Sequence, residues 1–333
     1  MAYNFELDTA ISAVVKAGRL CRDVQNSLVS MDTVEKKDRS PVTIADLGSQ
    51  ALINLELLKS FPHDPIVSEE DTNALHRHEY LKGKVSELVS AQIDHVSEAQ
   101  ILEAIDYGTR EIDYKSRFWT VDPIDGTKGF LRGEQYAIAL ALVEDGQVVL
   151  GVLGCPNFPL NDDRPEDGKG CLFATVKGNG AFMQGLDQDR KEPIHVDSIS
   201  HPREARFAEP VEKGHASHAA HAQISSALGI TTPPYRIDSQ CKYAAVARGD
   251  VSIYLRLPKD KSYQEKIWDH AAGSLMVSEA GGRVTDIHGR SLDFSKGRRL
   301  QNNEGVVATN GKLHEKVLNA IANPKAHRKE PSI

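Results

Sequence analysis

Apolar residues recur at helical spacing from residue 7 to 29 (Ile11, Val14, Val15, Leu20, Cys21, Val24, Leu28), which predicts a long helix. A mixed-charge stretch, 32–40, separates it from a second periodic run that follows Ser40-Pro41-Val42-Thr43 and ends near Phe61, where Pro62 and Pro65 break it. The short apolar segment 65–68 reads as a strand feeding Glu69-Glu70-Asp71. Residues 72–116 are polar with helical patches at 85–93 and 101–105, the pattern of a peripheral insertion or lid.

From Arg117 the periodicity shortens. Strands are predicted at 118–121, 136–143 and 148–153, the last two joined by Asp145-Gly146, a strong hairpin signal. A polar loop over 161–169 precedes strand 171–176, and Asn179-Gly180 turns the chain into 181–183. Beyond about 195, short strands and helices alternate: helices at 224–228, 243–247 and 269–280, and a strand at 251–255. Gly281-Gly282 supplies the left-handed cap that stops the last helix, and the Pro-, Lys- and Arg-rich tail from Asn323 reads as frayed. This order fits a layered α/β architecture with the active site between two lobes, 1–195 and 196–333, the first carrying most candidate metal ligands.

Length supports two lobes, since 333 residues exceed one core of typical size. With 40% apolar and 26% charged residues the composition is that of a soluble enzyme, and the net charge of −7 argues against a duplex nucleic-acid binder while leaving room for a small anionic substrate. Cys21, Cys155, Cys171 and Cys241 show no metal-like spacing and read as reduced, packed thiols. The N-terminal stretch lacks a cationic region followed by an apolar run, and no segment approaches a membrane span, so a cytoplasmic protein without a membrane partner is expected.

The candidate chemistry lies in carboxylates. Trp119-Thr120-Val121-Asp122-Pro123-Ile124-Asp125-Gly126-Thr127 reads as a strand ended by Pro123, followed by a helix start whose Gly126 and Thr127 amides could bind an anion. Two carboxylates beside a phosphate repel it unless hard cations sit between, a task that suits magnesium. Taken alone, Asp122 and Asp125 are equally explained as turn and cap residues. By itself Glu69-Glu70-Asp71 reads as a solvated charge run, Asp269 as a helix N-cap, His270 as packed or exposed, and Arg256 as an outward cation on a strand.

Together these elements, Glu69-Glu70-Asp71, Asp122 to Thr127 and Trp268-Asp269 to Gly273, resemble in order the signature of the lithium-sensitive, magnesium-dependent phosphatase superfamily. That superfamily includes inositol monophosphatase, inositol polyphosphate 1-phosphatase, fructose bisphosphatase and 3'(2'),5'-bisphosphate nucleotidase. The resemblance covers nearly the whole chain. It is to the fungal and plant bisphosphate nucleotidases in particular, through Ser40 to Asp46, Asp125 to Gly133, Glu212 to His215, Ile237 to Tyr243 and Tyr263 to Gly273.

The resemblance implies a layered αβαβα sandwich of the inositol monophosphatase and fructose bisphosphatase type. It further implies that Glu69, Asp122, the Ile124 carbonyl, Asp125 and Asp269 bind two or three Mg2+ ions, with Glu70 supporting Glu69. Asp46 and Thr127 match the pair that positions and deprotonates the attacking water. Gly126, Thr127, His215, Ser239, Lys242, Arg256 and Asp269 match the substrate-binding positions. Two magnesium ions can hold the attacking and leaving oxygens of an in-line displacement, so hydrolysis is expected to pass directly to water without a phosphoenzyme. The implied substrate is adenosine 3',5'-bisphosphate, giving AMP, with its sulfated precursor and inositol 1,4-bisphosphate as side substrates, inhibition by lithium and sodium, and a monomeric state. Ala216 stands where many relatives carry Ser, which bears on substrate affinity. Three other readings stay open here: an inositol phosphatase with the same centre, a phosphotransferase using an Asp nucleophile, and a catalytically silent nucleotide sensor. The second places its Asp residues two apart, against the three that separate Asp122 from Asp125.

Overall fold

A computed structural model describes residues 3–27, 33–35, 41–211, 218–258 and 262–323. The first periodic run forms α1 (Asn4–Ser27), followed by a small antiparallel pair, β1 (Thr33–Glu35) and β2 (Pro41–Thr43), and by α2 (Ile44–Ser60). Then come β3 (Ile66–Ser68), α3 (Glu79–Ser90), α4 (Glu98–Tyr107), β4 (Phe118–Asp125), the short α5 (Thr127–Leu131), β5 (Ala137–Glu144), β6 (Gln147–Pro159), β7 (Lys169–Val176), β8 (Ala181–Gly185) and β9 (Glu192–Ile194). The remainder holds β10 (Phe207–Glu209), α6 (His218–Leu228), β11 (Tyr235–Arg236), α7 (Cys241–Arg248), β12 (Ile253–Arg256), α8 (Ala271–Glu279), β13 (Arg283–Thr285), β14 (Val306–Thr309) and α9 (His314–Ala322). The tail beyond Asn323 lies outside the described residues.

Strands β3 to β9 form a seven-stranded sheet in sequence order, antiparallel except for the parallel β3–β4 pair. The hairpin between β5 and β6 turns at Asp145 and Gly146, whose φ angles of 51° and 71° are the left-handed pair that a tight hairpin requires. A second, five-stranded sheet runs β11-β10-β12-β14-β13.

Alternation along the strands decides the layering. In β5, Ile138, Leu140 and Leu142 face α1 and α2, whereas Ala137, Ala139 and Ala141 face the opposite side. That opposite side packs on α7 and α8 through Tyr243, Ala247, Ala272 and Met276, and these helices in turn cover Ala208, Tyr254, Val306 and Ala308 of the second sheet. The far face of the second sheet, Phe207, Ile253, Leu255 and Val307, packs on Ile224 of α6 and Val317 of α9. The result is the αβαβα sandwich. Small residues let the middle helices come close: a Cβ on Gly151 of β6 would meet the Ala272 carbonyl oxygen at 3.0 Å.

Segment 72–116 is not a lid. Ile101, Ala104 and Ile105 of α4 are buried, and α2 holds that helix by Asn54 Nδ2 donating to the Ala104 carbonyl (2.8 Å) and Gln50 Nε2 to that of Ile105 (2.9 Å). Its polar surface belongs to one exposed side of a packed helix, a distinction that mean polarity along the chain does not carry.

Candidate active site

Strand β4 does not end at Pro123. It continues to Asp125 through a register shift against β5 between Asp122 and Asp125. In a regular strand, residues three apart point to opposite faces. The bulge resets the alternation, so that Val121 and Ile124 both join the core beneath α1 and α2. Asp122 and Asp125 are thereby turned together toward the middle helical layer, where the Gln240 amide donates to Asp125 Oδ2 at 2.6 Å. Ser49 of α2 steadies the bulge by donating to the Pro123 carbonyl at 3.1 Å.

Beyond the bulge, α5 is scarcely more than a turn, five residues opened by Gly126 at φ 88°. A Cβ on Gly126 would lie 2.9 Å from that of Ser239. Ser239 is itself left-handed (φ 64°), a strained backbone for serine, and its hydroxyl donates to the Asp238 carbonyl at 2.6 Å. Thr127 Oγ1 donates to the Ile124 carbonyl at 3.3 Å.

The other carboxylates arrive from separate elements. Asp46 is buried in the first turn of α2. Glu69 follows β3, and its neighbour Glu70 is pinned by Gln50, which accepts from the Glu70 amide (2.9 Å) and donates to its carbonyl (2.8 Å). Asp269 precedes α8, whose N-cap position falls on His270, so Asp269 does not cap that helix. Gln240 ties this segment to the first, donating through Nε2 to the Trp268 carbonyl at 2.9 Å.

The charges of these groups act on one another. Burial, then the charges of Glu69, Asp125, Asp269 and Asp46, hold the Asp122 carboxyl well above the usual carboxylate range. Burial also raises Asp125, against the pull of Lys242 and Arg256. Asp269 is pushed up to about 7 by burial, with Arg256 opposing and Asp125 adding to the rise. The charges of Glu69, Asp125, Asp269 and Asp46 thus all act on Asp122, although among the described residues these five acids are not a set whose ligand atoms lie within 4.8 Å of one another. Asp122 Oδ1 is enclosed with no hydrogen-bond donor reaching it among the described residues. An oxygen-rich anionic cluster with an unsatisfied buried oxygen is the donor set that a hard divalent cation needs.

Arg256 is not an outward cation. Its Nε pairs with Glu265 Oε2 at 2.9 Å, and Nη2 reaches Asp269 Oδ2 and the Tyr263 hydroxyl at 3.4 and 3.3 Å. Glu265 also meets His270 Nε2 at 3.2 Å, and His270 Nδ1 lies 2.7 Å from the Tyr243 hydroxyl. Burial opposes ionisation of Glu265, yet Arg256 and His270 bring its carboxyl down to about 2. Glu265, Asp269 and His270 offer ligand atoms within 4.8 Å of one another. With Glu265 committed to Arg256 and both His270 nitrogens engaged, this trio serves better as a brace than as a metal site. The buried Lys242 faces Asp125 and Asp238, and burial lowers its pKa. His215 and Ala216 lie outside the described residues.

Gln240, Tyr243 and Glu265 fall within the motif blocks that carry the family resemblance, but nothing in the spacing distinguishes them as braces. Their roles depend on contacts made across loops.

The chain matches the model of the inositol monophosphatase family over residues 4–325. It belongs to the inositol monophosphatase family. Among curated relatives, this family member is 43% identical to a 3'(2'),5'-bisphosphate nucleotidase of Schizosaccharomyces pombe, covering 97% of this chain and 96% of the relative. It is 46% identical to a protein of that name from Dictyostelium discoideum (94% and 95% covered) and to another from Oryza sativa (96% and 94%). Its fold resembles the solved structures of a Thermotoga maritima IMPase (TM-score 0.65, 24% identity, 96% and 97% covered) and of the Bartonella henselae extragenic suppressor protein suhB (0.67, 23%, 97% and 100%). Among the described residues no helix is long and apolar enough to cross a membrane.

Proposed function

We propose that this family member is a magnesium-dependent 3'(2'),5'-bisphosphate nucleotidase that converts adenosine 3',5'-bisphosphate and water to AMP and phosphate. The observation that carries the catalytic reading is the enclosed Asp122 carboxyl, lacking a donor at Oδ1 among the described residues and raised by burial and by four other acids. The printed names of relatives 43–46% identical over nearly the whole chain support the nucleotide over an inositol phosphate.

In this reading Glu69, Asp122, the Ile124 carbonyl, Asp125 and Asp269 would hold the cations. When bound, these supply Lewis-acid charge that offsets the negative charge of the phosphate. Asp46 accepts the proton of the attacking water, which Thr127 orients. The new bond joins water oxygen to phosphorus, the bond from phosphorus to O3' breaks with its electron pair passing to O3', and O3' takes a proton from solvent water to leave as a hydroxyl. The Gly126 and Thr127 backbone would lie against the reacting phosphate, and the left-handed Gly126 has no Cβ to collide with Ser239. Arg256 and Lys242 supply charge-assisted donors to the second phosphate, with Ser239 and His215 lining the nucleoside. Asp269 serves both lobes' parts of the site, as cation ligand and beside the substrate. The division near residue 195 then places most metal ligands in one lobe and the phosphate-recognising cations in the other.

The test is phosphate release from adenosine 3',5'-bisphosphate, its sulfated precursor, inositol 1,4-bisphosphate and inositol 1-phosphate, with Mg2+ and with EDTA. Fastest turnover on the adenine bisphosphate, abolished by EDTA, is expected. Faster release from an inositol phosphate would overturn the substrate assignment, and undiminished turnover in EDTA the metal assignment.

A further inference from the structure

Glu69 and Asp269 come from opposite ends of the chain, and one side chain joins the segments that carry them. Residues 298–300 lie against 264–267: the Leu300 amide donates to the Glu265 carbonyl (2.9 Å), the Ile267 amide donates to that of Arg298 (3.2 Å), and Lys266 and Arg299 form an antiparallel bridge. From that anchored backbone the Arg298 guanidinium crosses to the first lobe. Its Nη1 donates to the Gly108 carbonyl at 3.0 Å and its Nη2 to the Ser68 carbonyl. The Gly108 carbonyl also accepts from the Ser68 amide at 2.9 Å, so both contacts end on one rigid corner. The guanidinium carbon lies 4.7 Å from the centroid of the Trp268 ring. Ser68 immediately precedes Glu69, and Trp268 immediately precedes Asp269.

We infer that Arg298 is a positioning residue that fixes the separation of Glu69 and Asp269, and through it the affinity of the carboxylate cluster for divalent cations. The inference rests on the metal-dependent reading above. The planar fork is what the geometry uses, since two carbonyls and an aromatic face are engaged at once; a lysine ammonium carries the same charge but cannot reproduce that fork. The corner that receives it is tight: a Cβ on Gly108 would lie 2.3 Å from Ser68 Oγ, leaving little slack to absorb a shift.

Arg298→Lys and Arg298→Met separate this role from general stability. Each is compared with the unaltered chain by circular dichroism, by terbium luminescence sensitised through tryptophan in metal-free protein, and by the Mg2+ dependence of phosphate release from adenosine 3',5'-bisphosphate. Outer-shell partners of metal ligands are worth about 10–100-fold in affinity. The expected result is a folded Arg298→Lys protein whose Tb3+ and Mg2+ midpoints both rise about tenfold or more. Its kcat at saturating Mg2+ should stay within about threefold of the unaltered chain, as expected when the lost contact acts through cation affinity. Arg298→Met should shift the midpoints at least as far. Unchanged midpoints in either folded variant overturn the inference, as does a fall in kcat that saturating Mg2+ does not restore. If the unaltered chain binds neither ion and turns over in EDTA, it is the metal-dependent reading that fails, which the Tb3+ titration of that chain reveals on its own.

Discussion

The Gln240 amide donates to Asp125 Oδ2 at 2.6 Å while its side chain donates to the Trp268 carbonyl at 2.9 Å and accepts from the Gly273 amide at 3.2 Å. One buried glutamine thus ties the carboxylate on the β4 bulge to the segment carrying Asp269. Gln240→Ala would leave a buried carbonyl and a buried amide unmatched, each costing about 1–3 kcal/mol. A lower melting temperature together with weaker Mg2+ activation is expected, and Gln240→Glu should not restore either, because a carboxylate keeps the acceptor for the Gly273 amide but cannot donate to the Trp268 carbonyl and buries a further negative charge.

The acidic cluster sets stability against function. The folded-state pKa values of Asp122 and Asp269 are raised, the latter to about 7, so these groups favour folding at low pH and lose that contribution as pH rises through the raised values. In EDTA at neutral to mildly alkaline pH, Asp122→Asn should therefore melt higher than the unaltered chain, and its advantage should grow from pH 5 to pH 8. Mg2+ should abolish that advantage, and phosphate release by the variant should fall at least a hundredfold, the upper end for outer-shell partners being about that. A variant that melts lower in EDTA at pH 8 would show that the cluster is not strained without cations.

Glu265 holds Arg256 by its Nε, leaving the Nη edge toward Asp269. Glu265→Gln removes the charged acceptor, and charge-assisted bonds are worth about 1.5–3 kcal/mol. The expected signature is a KM for adenosine 3',5'-bisphosphate raised tenfold or more, on the conversion of about 1.4 kcal/mol per tenfold. For adenosine 3'-monophosphate, which lacks the second phosphate, the change should be small. Equal losses on both substrates would remove Arg256 from recognition of that phosphate.

His314, far from this site, makes a separate prediction. Thr285 Oγ1 donates to the Asp286 carbonyl at 2.8 Å, so it accepts from His314 Nε2 at 2.8 Å. Thr309 Oγ1 accepts from the Gly311 amide at 3.1 Å and donates to Nδ1 at 3.0 Å. The network suits the neutral ring, and burial, reinforced by Arg283, lowers its pKa from 6.5 to about 4. Between those values the unfolded chain binds more protons than the folded one, so stability falls as pH drops from about 6.5 to 4. The melting-temperature difference between the unaltered chain and His314→Gln should shrink over that interval; a constant difference would count against the assignment.

Legibility from sequence tracked how local each determinant is. The spacing of Ile11, Val14, Leu20 and Val24 gave α1, and Asp145-Gly146 gave the central hairpin, because period and turn chemistry act over a few residues. Glu69, Asp122, Asp125 and Asp269 each have a bland local explanation and are grouped only by the order of their motifs along the chain, while Asp46 is singled out only by the resemblance of the stretch from Ser40 to Asp46. The brace formed by Tyr243, Glu265 and His270, and the crossing made by Arg298, were not visible. They join parts of the chain with no common period, and Arg298 sits in Lys296-Gly297-Arg298-Arg299, which looks like surface charge.

The bulge in β4 sets a limit on how this gene segment can vary in length. Deleting one residue between Asp122 and Asp125 would let the ladder with β5 close without interruption; the two carboxylates would then stand two apart and still share a face, but Asp125 would be drawn about 3.3 Å back along the strand, away from its contact with the Gln240 amide. Between Asn161 and Lys169, where the chain crosses solvent, a residue can be gained or lost at little cost. Within the same sheet, then, a single codon lost from the polar loop is a tolerable event, whereas one lost at Pro123 or Ile124 resets the spacing of the two carboxylates and the reach of Asp125 to Gln240.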